Sequence, residues 1–202
     1  MQAYLTVKKQ GTTVINQKSK SFLIGFCGLM IRQWCQDTDT LNDTGGNSHS
    51  SGQGTGIFGC RTFAGYGLTR DHIDASNDME ADRCGIVIGS GTGMVAPDDY
   101  SLGTQIRSGE KAGTILYCGM VVYGLTIDAG TDQGSFKIMA LFKNISGGSI
   151  DVKEVGLYMQ GQRGAQSYPN VFGYCVLRDN ITTVPLADGE FLEVEYTISI
   201  ST

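Results

Sequence analysis

Two groups of acidic residues hold the side chains of this 202-residue chain best suited to chemistry. The first comprises Asp37, Asp39 and Asp43, and the second lies within residues 71–82. Oxygen-rich segments of this kind can bind Ca²⁺, but neither group has the spacing of an EF-hand loop. Solvated charge is therefore the favoured interpretation, with a weak calcium site as the alternative. A paired-carboxylate glycosidase needs two acids brought together by the fold, and the sequence singles out no such pair.

The two histidines, His49 and His72, are the candidates for a general base. A Ser-His-Asp site needs an imidazole oriented by a carboxylate, and Asp71 and Asp74 are close to His72 only in sequence. The glycine-rich run 89–93 (GSGTG) lacks the lysine of a P-loop, so it predicts a wide turn rather than a phosphate site. We therefore expect no catalytic, cofactor-binding or metal-binding residue, and interpret the chain as non-enzymatic.

The cysteines do not have the spacing of a zinc site. No CxxC occurs among the six, which are Cys27, Cys35, Cys60, Cys84, Cys118 and Cys175. Small buried thiols are the favoured interpretation, since cysteine is commonly buried. The alternative is a disulfide between Cys35 and Cys60, which flank a long polar segment and would close it at its base in an oxidising environment.

Charge and hydropathy exclude two classes of partner. The chain has 15 Lys and Arg against 20 Asp and Glu, a net charge of −5, so we expect no nucleic-acid partner. The longest apolar run, residues 22–31, is shorter than the roughly 20 residues that span a bilayer, so we expect no membrane partner. Charged residues make up 17% of the chain, below the usual share of about 25%, and weakly charged surfaces are typical of contacts between subunits.

Alternating apolar and polar residues predict a chain built of β-strands. The clearest pattern has apolar residues at every second position, with Glu193, Glu195, Thr197 and Ser199 on the opposite, solvated face. These apolar residues are Leu192, Val194, Tyr196, Ile198 and Ile200. Further strands are expected near 3–7, 12–15, 85–89, 114–127, 136–142, 150–160 and 171–178. Residues 114–127 predict a strand pair or one bent strand, in which Gly119 or Gly124 is expected to mark a bulge or bend. Residues 144–149 (NISGGS) predict a hairpin turn into the return strand 150–160.

The sequence therefore predicts one all-β domain over residues 1–202, an antiparallel β-sandwich of jelly-roll-like character. One short helix is expected within residues 69–84. Residues 36–56 are nearly free of large apolar side chains and predict a long exposed loop. Its candidate interaction residues are Asp37, Asp39, Asn42, Asn47 and His49.

From residue 85 onward, the order of short strings resembles that of structural proteins of tailed bacteriophages, of the head-decoration and tail-fibre-associated kind. The resemblance covers about residues 85–202. Its strings are GIVIGSGTG at 85–93, APDDYSL at 96–102, the alternating strand 136–142, the turn 144–149, EVGLY at 154–158, LRD at 177–179, VP at 184–185 and the alternating strand 191–200.

This resemblance implies a non-enzymatic structural component of the virion. The role that it favours is a capsid decoration, minor head or head-fibre protein that stabilises the particle by contacts between subunits. The alternatives are a tail, collar or adaptor protein, or a receptor- or carbohydrate-binding module at a fibre. The implied partners are other virion proteins (major capsid or tail and neck proteins), copies of the chain itself, and a host-surface glycan for the binding module.

Overall fold

A computed structural model describes residues 2–19, 22, 40–42, 44–50, 82–128, 133–163 and 170–201. These residues form β-strands and no helix, which confirms the all-β class. The strands are β1 (Gln2–Lys9), β2 (Thr12–Lys18), β3 (Thr40–Asn42), β4 (Ser48–Ser50), β5 (Gly85–Gly89), β6 (Leu116–Asp128), β7 (Gln133–Lys143), β8 (Ile150–Arg163), β9 (Asn170–Leu186) and β10 (Phe191–Ser201). The helix expected within 69–84 lies almost wholly outside the described residues. Within them, no helix has the length and apolar character needed to cross a membrane.

The strands form three antiparallel sheets. A five-stranded sheet has the order β2-β1-β10-β7-β6, a three-stranded sheet has the order β5-β8-β9, and β3 pairs with β4. β7 and β8 therefore belong to different sheets, so the prediction that residues 144–149 form a hairpin turn is wrong. These residues cross between sheets, and the buried Asn144 fixes the crossing by donating from its amide to the carbonyls of Gly148 and Leu186, each at 2.7 Å.

Buried apolar residues from the two larger sheets form one core cluster. Burying these alternate residues removes apolar surface from water, which is the main force that holds the two sheets together. The cluster includes Ala3, Leu5 and Val7 of β1, Ile86 and Ile88 of β5, Ile138, Ala140 and Phe142 of β7, Val155 and Leu157 of β8, Val176 and Leu177 of β9, and Leu192, Val194, Tyr196 and Ile198 of β10.

Two residues of β10 depart from the predicted faces. Ile200 is 53% exposed because it lies towards the end of the sheet, opposite Gly134, where the core no longer covers it. Glu195 was expected on a solvated face but is only 7% exposed. Tyr123 and Lys137, from β6 and β7, cover it and bond to its carboxylate.

β6 is one strand with two bulges, where the sequence predicts a bulge or bend at Gly119 or Gly124. Its register against β7 shifts between Tyr117 and Gly119 and again between Tyr123 and Thr126. Gly124 lies in the second shift with a φ of +66°, a conformation that residues with a Cβ rarely adopt. The regular stretch between the bulges is therefore Gly119–Tyr123.

β5 is buried along its whole length because both of its faces are covered. Ile86 and Ile88 face the main core, whereas Val87 belongs to a second cluster with Leu102, Tyr158 and Cys175. Leu102 lies in the segment 90–106, which has no strand and lies against the outer face of the three-stranded sheet. We call this segment the cover segment.

Candidate functional site

The carboxylate of Glu154, on β8, is the central group of the most extensively bonded polar site in the described part of the chain. Its side chain has no solvent exposure. Oε1 accepts hydrogen bonds from the backbone N–H groups of Gly91 and Thr104 at 3.0 and 2.8 Å, and Oε2 accepts one from Gly103 at 3.0 Å. All three donors belong to the cover segment, so this carboxylate ties that segment to the sheet.

Arg178, on the neighbouring strand β9, supplies the opposite charge. Its Nε and Nη2 lie 3.1 and 3.0 Å from Glu154 Oε2, and its Nη1 lies 2.7 Å from Oδ2 of Asp99. Asp99 Oδ2 also accepts from the N–H of Ala96 at 2.8 Å. Burial alone would lower the pKa of Arg178, but the Glu154 and Asp99 carboxylates raise it above its ordinary value. The guanidinium therefore stays charged and bridges two acids, and we call these three residues the Glu154–Arg178–Asp99 network.

Glycines let the backbone approach the Glu154–Arg178–Asp99 network closely enough to bond to it. A Cβ at Gly89 would lie 2.6 Å from Glu154 Oε1, and one at Gly103 would lie 2.9 Å from Arg178 Nη2. At Gly91 an added Cβ would also collide with Glu154 Oε1. The glycines of the run 89–93 therefore leave room for the side chain of Glu154.

Tyr158, on β8, fixes the part of the cover segment around Leu102. Its hydroxyl accepts a hydrogen bond from the N–H of Leu102 at 2.7 Å, and its ring is buried beside Cys175. Burial is the main reason that the pKa of Tyr158 is raised well above its ordinary value, so the hydroxyl is neutral at physiological pH. Leu102 then packs over Gly156, where an added Cβ would come within 2.8 Å of Leu102 Cδ2.

Asp179 forms a second polar contact, directed towards the opposite face of β9. Neighbouring residues of a strand point to opposite faces, so Arg178 reaches the cover segment while Asp179 reaches the other sheet. Asp179 Oδ2 accepts from Ser19 Oγ at 2.7 Å and from the hydroxyl of Tyr196 at 3.0 Å. Burial, followed by the Asp179 charge, raises the pKa of Tyr196 well above its ordinary value.

Four strings singled out in the sequence meet at the Glu154–Arg178–Asp99 network. GSGTG and APDDYSL provide most of the cover segment up to Leu102, EVGLY provides Glu154, Gly156 and Tyr158, and LRD provides Arg178. The donors Gly103 and Thr104 directly follow APDDYSL. Sequence reasoning noted the order of these strings but missed their contact. A usable signal was present, because a charged residue within an apolar strand must find a partner when it is buried.

The polar groups of this site bond to one another and so fix the position of the backbone. Two oxygens of one carboxylate accept three backbone N–H groups and a guanidinium, so its acceptor capacity serves to hold the chain in place. In the ranges that the structure describes, no group of three or more His, Cys, Asp or Glu residues could hold a metal ion.

The structure describes only part of the predicted interaction loop 36–56. Cys35, Asp37, Asp39 and Cys60 lie outside the described residues. Asn42 ends β3 and His49 lies within β4, while Asn47 lies exposed in the turn between them. Instead of a loop without strands, residues 40–50 thus include a short hairpin that brings three of the five predicted residues together.

Tyr100 of the cover segment lies beside the turn of the β3–β4 hairpin. The turn contains Gly46 with a φ of +78°, and a Cβ at this glycine would lie 3.3 Å from Tyr100 Cε2. Tyr100 nevertheless remains 44% exposed. The tyrosine ring therefore lies next to the turn that contains exposed Asn47.

Cys118 and Cys175 are free thiols in the described part of the chain. Cys84 and Cys118 are partly buried and Cys175 is buried. Burial raises the pKa of Cys175 well above its ordinary value, which makes it an unreactive thiol.

Comparison with known proteins found no match for this chain among protein-family models, curated proteins or solved structures.

Proposed function

We propose that this chain is a non-enzymatic structural component of a tailed-phage virion. In this proposal it is a capsid decoration, minor head or head-fibre protein that stabilises the particle by contacts with capsid proteins and with copies of itself. The two larger sheets would then be the layers of a jelly-roll-like β-sandwich, a fold suited to presenting broad surfaces to neighbours.

The observation that carries this proposal is the meeting of four virion-like strings at the Glu154–Arg178–Asp99 network. These strings are spread over residues 85–179 but contribute side chains and backbone to one buried network. The residues that carry the resemblance are therefore in contact with one another in the fold. That network ties a strandless segment to a sheet through three backbone hydrogen bonds to one buried carboxylate. A rigid outer surface is useful in a particle because subunit contacts then form without an ordering cost.

The test is to look for the chain in purified particles. Phage particles from an infected culture would be purified on a density gradient and analysed by quantitative mass spectrometry, with gold-labelled antibody to locate the chain. We expect a fixed number of copies per particle and label on the head. Label on the tail or neck would favour the tail, collar or adaptor alternative. A chain that is made in infected cells but missing from particles would contradict a virion role.

A receptor- or carbohydrate-binding module at a fibre is the second candidate, and one observation favours it. Half-exposed Tyr100 lies beside the β3–β4 hairpin, and a tyrosine ring next to polar side chains is a suitable platform for a sugar. Under this alternative, the partner would be a host-surface glycan bound by the ring and by the polar residues of the hairpin.

Glycan binding can be tested on an array of bacterial surface polysaccharides. Tyr100→Ala should abolish the binding of any glycan that the wild type retains, whereas Tyr4→Ala, on a similarly exposed tyrosine of β1, should not. A wild-type protein that binds no glycan, or binding that survives Tyr100→Ala, would contradict this candidate.

A further inference from the structure

β6 is a long edge strand with an apolar exposed surface. It spans 13 residues at the end of the five-stranded sheet. Leu125 and Ile127 are 73% and 79% exposed, and three further residues in the middle of the strand are roughly 40% exposed. These three are Val121, Val122 and Tyr123. Contiguous apolar exposure of this kind marks a surface that binds a partner.

The outer backbone edge of β6 makes no hydrogen bond to other described residues. Both edge strands of the three-stranded sheet, β5 and β9, are in contrast bonded on their outer sides. β5 is bonded on its free side by the cover segment, through Ile106 N to Ile88 O at 2.9 Å and a bridge between Gly89 and Gln105. β9 forms a bridge from Leu177 to Phe22. Among the described residues, the outer N–H and C=O groups of β6 thus have no strand partner, and such groups are a template for a further strand.

The two edge strands of the five-stranded sheet differ in their protection. β2 ends in Asn16, Gln17 and Lys18, the polar and charged residues that discourage strand addition. β6 has no charged residue from Leu116 to Ile127. Each strand has one charged residue, its last, but β2 exposes one large apolar side chain whereas β6 exposes five. This difference in apolar exposure indicates that the β6 edge is the less protected of the two.

We propose that β6 joins two copies of this chain by antiparallel β6–β6 pairing around a two-fold axis at Val121. The proposal deepens the virion role, on which it rests, by naming the surface through which copies meet. It makes the five-stranded sheets of two copies one continuous ten-stranded sheet. A two-fold contact uses the same surface on both copies, which is the commonest symmetry of protein dimers.

The register follows from the two bulges. Only Gly119–Tyr123 keeps a regular register, and its central residue is Val121. A two-fold axis there pairs each Val121 with Val121 of the other copy. It also pairs Met120 with Val122, and Gly119 with Tyr123, of the other copy. Apolar cross-strand pairs stabilise such a joint, and an aromatic ring beside an edge glycine compensates for the missing side chain. The strand is therefore complementary to its own reversed sequence.

Charge favours the same arrangement. The one charged residue of β6, Asp128, is its last. Antiparallel pairing brings that end of each strand towards the Leu116 end of the other, where Lys143 of β7 pairs with Leu116. The two Asp128 residues thus lie at opposite ends of the joint, and no like charges meet along it. A second copy is therefore the occupant that fits this edge.

The test compares Val121→Lys with Val14→Lys by light scattering and sedimentation equilibrium. Both valines lie on edge strands of the same sheet, with 44% and 46% exposure. We expect the wild type to have a mass of twice 21.6 kDa, or an even multiple of it. Val121→Lys should weaken association at least tenfold, because two ammonium groups would face each other, while Val14→Lys should keep the wild-type mass. Circular dichroism would establish that both variants are folded.

A Val121→Cys variant tests the register and is useful even if Val121→Lys fails to fold. Residues directly opposite in antiparallel strands have Cα atoms roughly 4.5–5.5 Å apart, within reach of a disulfide. Mild oxidation should therefore link two copies through residue 121, as shown by peptide mapping, and Val14→Cys should not link.

A wild type that stays monomeric at all concentrations would overturn the joint, and so would dissociation by Val14→Lys alone. Neither result affects the detection of the chain in purified particles. Conversely, a dimer that Val121→Lys breaks supports the joint even if particles lack the chain, so the two proposals fail separately.

Discussion

Arg178 places two guanidinium nitrogens on a single oxygen of Glu154, from the adjacent strand of the same sheet. The other oxygen of Glu154 is left to the backbone N–H groups of Gly91 and Thr104. Each charge is therefore satisfied only when β8, β9 and the cover segment are all in place. Because buried charges are costly when unpaired, this arrangement makes three distant parts of the chain depend on one another.

Arg178→Leu should destabilise the protein strongly. It leaves the Glu154 carboxylate buried without its counter-charge, and removing one partner of a buried ion pair costs roughly 3–5 kcal/mol. The measurement is the free energy of unfolding from urea titration. Lys153→Leu is the control, since Lys153 is partly exposed and its contact with Asp151 is 3.6 Å long; it should change stability by about 0.5 kcal/mol or less. Equal losses in both variants would contradict the assigned role of Arg178.

Gly156→Ala should cost about 1–3 kcal/mol, the usual range for inserting a methyl group into a packed core. The new Cβ would press on Leu102, which lies over Gly156. Gly148→Ala provides a matched control, because nothing lies within 4 Å of its Cβ position and its φ is not left-handed. Thermal unfolding of both variants checks this expectation, and an unchanged Tm for Gly156→Ala would show that Leu102 does not lie there.

Ile198→Asp and Tyr196→Asp should prevent folding, whereas Ile200→Asp should be tolerated. All three residues lie on β10, but Tyr196 and Ile198 are buried in the core and Ile200 is 53% exposed. An unpaired buried carboxylate costs several kcal/mol or more. Soluble yield and circular dichroism distinguish the outcomes. Loss of the fold in Ile200→Asp would mean that the core extends further along β10.

Glu195→Gln should cost about 1 kcal/mol at pH 7, a small value because Tyr123 and Lys137 are both about 40% exposed. The Glu195 side chain is buried, so its removal is not neutral as a solvated face would imply. Burial alone would raise the pKa of Glu195, but bonds from Tyr123 and Lys137 lower it below 4.5. The same bond to Glu195 is the main cause that raises the pKa of Tyr123 to about 12.

A carboxylate with a lowered pKa stabilises the fold above its unfolded-state pKa and loses that effect as the pH falls through the folded value. The stability difference between wild type and Glu195→Gln should therefore be constant above pH 4.5 and shrink at lower pH. Urea titrations at several pH values measure it, with exposed Glu110→Gln as the control. A difference that grows on acidification would contradict the predicted sign.

Local patterns in the sequence predicted the strands well. The alternation of β1, β7 and β10 and the buried run of β5 each depend on a few adjacent residues. A bulge was predicted at Gly119 or Gly124, and the register of β6 shifts beside both. Pairing was harder, because the turn after β7 has a hairpin-like composition, yet Asn144 bonds to Leu186 and directs β8 into the other sheet.

The candidate site depends on contacts that a linear pattern does not contain. Glu154 is 24 positions from Arg178, and Asp99 is 79 positions away from that arginine. The burial of Glu195 likewise depends on side chains from β6 and β7. The residues predicted for interaction were chosen by polarity alone, which identifies exposed segments but cannot locate a buried polar site.

The cover segment has no strand of its own, yet three of its amides donate to one buried carboxylate. Gly91, Gly103 and Thr104 can release these protons to solvent only if Glu154 is uncovered as well. In a hydrogen-exchange experiment, these amides should therefore exchange as slowly as those of β8 and β9, through opening of the whole domain. The exchange rates of these amides would thus place the cover segment with the most protected strands of the domain.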